Sequence, residues 1–73
     1  MNIDISLRDF LDFVGFDVEC DVYMVRSIGL QPLLLWSGYP DDIINYIELT
    51  ENEYKLTYIH IRDNRLQLAV VEV

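Results

Sequence analysis

Seventy-three residues make one domain, 1–73, and so short a chain buries only about 60% of its unfolded surface. Hydrophobic residues still form 52% of it, which means either an unusually rich core or, the favoured reading, an apolar face covered by a second copy or a partner. The formal charge of −8, from 13 acidic and 5 basic side chains, argues against non-specific binding to nucleic acid or anionic membrane, which needs clustered cations.

Ser6 to Gly15 reads as a short helix. Ser6 is the N-cap, and Asp9 stands at the third helical position in a weak form of the capping box. Leu7, Phe10, Leu11 and Val14 share one face, and Gly15 is placed to take the left-handed C-terminal position, with Phe16 folding back on Leu11. Two turns of helix are unstable alone, so this one must pack on a sheet.

Asp17 to Arg26 alternates as a half-buried strand does. Val18, Cys20, Val22 and Met24 form one face; Asp17, Glu19, Asp21 and Tyr23 form the other. Ser27 to Gln31 reads as a turn. Leu33 to Trp36 is a continuous apolar run, consistent with a strand buried on both faces, and Pro32 marks its start. In Ser37-Gly38-Tyr39-Pro40-Asp41-Asp42, Pro40 suits a first helical position and the two Asp suit a first turn. Ile43, Ile44 and Ile47 then fit the buried side of a short helix, although Ile43 to Thr50 also alternates as a strand does. Thr50 to Glu53 is a polar loop.

Tyr54 to Val73 is the best-specified stretch. Two β-rich runs flank Asp63-Asn64, residue types that tolerate positive φ in a two-residue hairpin turn. Counting outward pairs Ile61 with Leu66, His60 with Gln67, Ile59 with Leu68, Tyr58 with Ala69, Thr57 with Val70, Leu56 with Val71, Lys55 with Glu72 and Tyr54 with Val73. The aliphatic side (Thr57, Ile59, Ile61, Leu66, Leu68, Val70) is the expected internal core. The side with Tyr54, Leu56, Tyr58, Val71 and Val73 is the expected oligomer interface. The predicted fold is α+β: the N-terminal helix packed on a four-stranded antiparallel sheet, with a short helix or irregular crossing between the second and third strands.

The acids Asp17, Glu19 and Asp21 recur about 6.6 Å apart along one strand face, roughly half the linear charge density of a DNA strand. They read as a solvated face that discourages edge aggregation, or as a mimic of nucleic acid toward a basic groove. A straight strand does not wrap a cation, so no metal is expected. Arg62 and Arg65 face each other beside the turn and need an acidic neighbour or an anion to offset them. Cys20 is read as a small buried thiol, with no disulfide partner. His60 has no second metal ligand or nucleophile in view. Trp36 and Tyr39 are either interface anchors or core. No catalytic constellation can be assembled and no cofactor is implied, so a non-enzymatic protein is expected. No apolar run reaches the roughly 20 residues of a membrane-spanning helix. With one Cys and no signal peptide, a cytoplasmic setting is expected.

Leu35-Trp36-Ser37-Gly38-Tyr39-Pro40-Asp41-Asp42-Ile43, followed by the hairpin around Arg62-Asp63-Asn64-Arg65-Leu66, resembles small proteins carried by phages and mobile elements of Gram-positive bacteria. The resemblance spans about residues 22–73 and leaves the first helix outside. It implies no chemistry, but a setting in which small acidic proteins bind and block host factors, including defence nucleases such as CRISPR effectors. The expected partner is a host protein with a basic surface, met by Asp17, Glu19, Asp21, Asp41 and Asp42 with Trp36 and Tyr39 as anchors. The alternative is a homo-oligomeric or nucleic-acid-handling protein that uses the Arg62/Arg65 tip.

Overall fold

In chain order the protein forms β1 (Ile5–Ser6), α1 (Leu7–Val14), β2 (Cys20–Met24), β3 (Leu33–Gly38), α2 (Pro40–Thr50), β4 (Tyr54–Arg62) and β5 (Arg65–Glu72). These come from a computed structural model that describes residues 5–15, 17–25, 29 and 31–73. The predicted placements of Phe16, Arg26 and most of the 27–31 turn lie outside the described residues.

Local chemistry marks the start of each helix, while Gly15 after α1 has φ 95° and ψ −175°, a positive φ but not the left-handed helical conformation. The Ser6 hydroxyl accepts the Asp9 backbone N–H at 3.1 Å and caps α1. Pro40 opens α2, where its missing N–H costs nothing, and Asp41 and Asp42 occupy the first turn. At the other end Thr50 donates its hydroxyl to the Ile47 carbonyl at 2.9 Å, and Glu51 takes a left-handed conformation at φ 60°. The helical reading of the segment after Pro40 is therefore the one the chain adopts. No helix among the described residues is long and apolar enough to cross a membrane.

The turn at Asp63-Asn64 has φ of 54° and 63°, the positive values that a tight hairpin needs. From Arg62–Arg65 to Tyr58–Ala69 the ladder follows the predicted register. It then breaks. Thr57 bulges out of the ladder and donates its hydroxyl to the Ala69 carbonyl at 3.0 Å. Beyond the bulge Leu56 pairs with Val70, Lys55 with Val71 and Tyr54 with Glu72. The predicted pairs Thr57–Val70, Leu56–Val71, Lys55–Glu72 and Tyr54–Val73 are not made.

One extra residue exchanges the faces of everything beyond it, because side chains alternate along a strand. Leu56 and Tyr54 therefore join Ile59 and Leu68 on the core side, where they are 0% and 7% exposed. Neither can belong to an outward interface, and that expectation is corrected.

The sheet also departs from four antiparallel strands. Among the described residues it has five, in the order β1-β4-β5-β2-β3. β5 pairs antiparallel with β4 and parallel with β2, from Cys20–Leu66 to Met24–Val70. The hairpin is thus inserted between β1 and β2, and β5 is central. The second strand is shorter than predicted: it starts at Cys20, so Asp17 and Glu19 precede it. β3 is an edge strand with Leu33 and Leu34 exposed, and is not buried on both faces.

Leu7 and Leu11 of α1, Ile43 and Ile47 of α2, and Cys20, Val22, Tyr54, Leu56, Leu68 and Val70 of the sheet form one buried cluster. Both helices therefore cover the same face of the sheet. Complete burial of one Leu contributes about 1.5–3 kcal/mol, which a marginal core of this size needs from nearly every member.

Candidate interaction surface

The strand registers lay out the face of the sheet opposite the core as three rows. The first runs Tyr58, Ala69, Tyr23, Leu34 across β4, β5, β2 and β3. The second runs His60, Gln67, Asp21, Ser37. The third is Arg62 and Arg65, with Glu19 beside Arg65 just before β2. Tyr58 is 60% exposed, so the row is open to solvent. Its ring stacks on the His60 imidazole, with centroids 6.4 Å apart and planes 17° off parallel.

The middle of this face is a closed polar network. Arg65 donates from Nε to Asp21 Oδ2 at 3.1 Å and from Nη2 to Asp21 Oδ1 at 2.7 Å. Nη2 also reaches the Ser37 hydroxyl oxygen at 3.0 Å, and Nη1 meets the Glu19 carboxylate. Ser37 and Gln67 donate to Asp21 as well. Asp21 thus accepts four hydrogen bonds, the full capacity of a carboxylate. The Arg65 guanidinium and these donors hold its carboxyl well below the usual carboxylate range, although its burial pushes the other way. The same contacts raise the Arg65 guanidinium above its ordinary value.

The sequence-predicted site residues accordingly separate. Asp21 has no acceptor capacity left, and Glu19 is held by Arg65. Asp17 is exposed, ahead of the strand. Arg65 is neutralised by two acids, while Arg62 meets Asp63 only at 3.9 Å with both side chains largely in water. Asp41, Asp42 and Tyr39 are exposed together at the start of α2. Trp36 is partly buried against the core and meets Tyr54 edge-on, centroids 5.3 Å apart, so it is a packing residue. Of the expected oligomer face, Tyr58 and Val73 are exposed and Val71 is half-buried. Cys20 is buried, its thiol pushed up to about 11 by burial first and by the Asp21 charge second.

Sequence reasoning missed Gln67 and Ser37 as members of the network. The available signal was spacing: Glu19 and Asp21 alternate as Arg65 and Gln67 do, which suits two neighbouring strands in register. Comparison with protein families, with curated proteins and with solved structures found no match.

Proposed function

We propose that this chain is a non-enzymatic interaction protein that binds and inhibits a host protein through that protein's basic, nucleic-acid-binding surface. A defence factor such as a CRISPR effector is the favoured class, in line with the resemblance to phage and mobile-element proteins. The observation that carries the reading is the group Tyr39, Asp41 and Asp42. Two exposed carboxylates stand in the first turn of α2, beside an aromatic ring 46% exposed. The strand acids are spent on Arg65; these are not.

Carboxylates of this kind form charge-assisted hydrogen bonds to the Lys and Arg side chains that otherwise hold phosphates. Tyr39 supplies apolar area with a polar tip, the usual make-up of an interface anchor. The inhibitor works by occupying the cations, so no reaction is required of it.

The test is affinity capture from the native host with wild-type protein and with an Asp41→Lys, Asp42→Lys double variant. A specific, salt-sensitive partner is expected with the wild type and not with the variant. Equal capture by both rejects this surface.

A second reading is self-association. The exposed Leu33 and Leu34 on edge strand β3 favour it, since an uncovered strand edge pairs readily. Light scattering at micromolar concentration distinguishes a monomer from a dimer.

A further inference from the structure

The geometry points to a second site, a nucleotide-sized groove on the open face of the sheet, which takes a planar aromatic base carrying a phosphate. The groove holds about 340 Å³ and is lined by Tyr23, Tyr58, His60, Arg62, Gln67 and Ala69 with Pro32 at its rim. That volume lies at the small end of ligand sites.

Its shape follows from the register. Tyr58 and Tyr23 each pair with Ala69, from opposite sides. Two strand spacings separate the tyrosines by about 9.6 Å at the backbone, and the small Ala69 forms the floor between them. Both tyrosines line the groove, and a planar ring there extends the stack that Tyr58 already makes with His60. The next row supplies His60 and Gln67. The Gln67 amide nitrogen is committed to Asp21, which leaves its carbonyl oxygen to accept from an exocyclic amine.

Charge fixes the other end. Arg62 lies four residues along β4 from Tyr58, about 13 Å at strand rise, within the combined reach of a nucleoside phosphate and an arginine stem. Its 3.9 Å contact with Asp63 is loose, and both side chains are solvated, so its donors are open to an anion. Arg65 offsets one charge of the nearby acids Asp21 and Glu19, which leaves Arg62 as the cation with its donors in water. Arg62 is thus the groove's contact for one phosphate, in a protein whose overall charge of −8 repels a polyanion. A mononucleotide is the occupant that satisfies both facts.

The test is titration of the full chain with AMP, GMP, CMP and UMP, read by amide chemical shifts and by calorimetry. Saturable binding in the millimolar range or tighter is expected for at least one, with shifts centred on residues 58–69 and on Tyr23. Tyr58→Ala and Arg62→Ala are each expected to weaken it about tenfold, as loss of one stacking platform or one phosphate contact does. Both positions are exposed, so the variants retain the fold, which circular dichroism checks. Tyr58→Phe keeps the affinity. The matching nucleoside, which lacks the phosphate, binds the wild-type protein as weakly as the nucleotide binds Arg62→Ala. No saturable binding, binding indifferent to both alanine variants, or tight retention of single-stranded oligonucleotide with none of the mononucleotides overturns the proposal.

Discussion

Arg65 and Asp21 face one another with two nitrogens on two oxygens, at 3.1 and 2.7 Å, across the only parallel strand pair among the described residues. This contact joins the C-terminal hairpin to the strand formed 44 residues earlier. The Asp21 side chain is only 13% exposed, so water screens the pair weakly.

The pair makes stability depend on acid. The folded Asp21 carboxyl titrates below its usual value near 3.8. Its contribution is therefore fully present above the unfolded value and is lost as pH falls through it toward the lower folded value. Wild-type stability should decline below about pH 4. Asp21→Asn should be less stable at pH 7, and the two proteins should converge toward pH 2. Urea midpoints across that range check it; a constant difference would contradict it.

The bulge at Thr57 can be probed by substitution and by deletion. Thr57→Val removes the hydroxyl bond to Ala69 and should cost about 1 kcal/mol. Deleting Thr57 makes Leu56 the immediate neighbour of Tyr58 in a regular ladder, so Leu56 still faces Val70 and Tyr54 still faces Glu72 on the core side, and the deletion variant should fold cooperatively. Thermal unfolding followed by circular dichroism checks both outcomes.

Neighbouring apolar positions on β4 should behave oppositely. Leu56→Ala empties a fully buried site and should cost about 2–5 kcal/mol. Ile61→Ala removes a side chain that is 70% exposed, and should fall within about 0.5 kcal/mol of wild type. Chemical denaturation of both variants gives the comparison.

Cys20 should be inert to alkylation in the folded protein. A thiol titrating near 11 is about 0.1% thiolate at pH 8, and this one is also buried. Its sulfur donates weakly to the Val18 carbonyl at 3.6 Å. Iodoacetamide labelling should be negligible without denaturant and rapid in urea. Fast native labelling would show that β2 opens locally.

Much of this was legible in the chain. Ser6 as a cap, Pro40 at a helix start and Asp63-Asn64 as a positive-φ turn are local signals, and each element forms where its signal stands. The α+β class followed from them. What was not legible is non-local. The bulge at Thr57 was masked by the plausible charge pair Lys55–Glu72, which an unbroken ladder would have made. The parallel pairing of β2 with β5 has no short-range cue, because a strand's pattern does not say which neighbour it takes. The partner of the strand acids was hidden for the same reason. Asp17, Glu19 and Asp21 look alike in sequence, and only the neighbouring strand shows that two of them answer Arg65.

β5 follows every other element in the chain yet lies in the middle of the sheet. During synthesis, β1 and β2 emerge with the two places between them empty, and their core side chains have nothing to close against. The domain therefore cannot assemble piecewise from its first half. Its folding waits on the final strand, and a ribosome-stalled chain ending before Arg65 should remain sensitive to protease along its whole length.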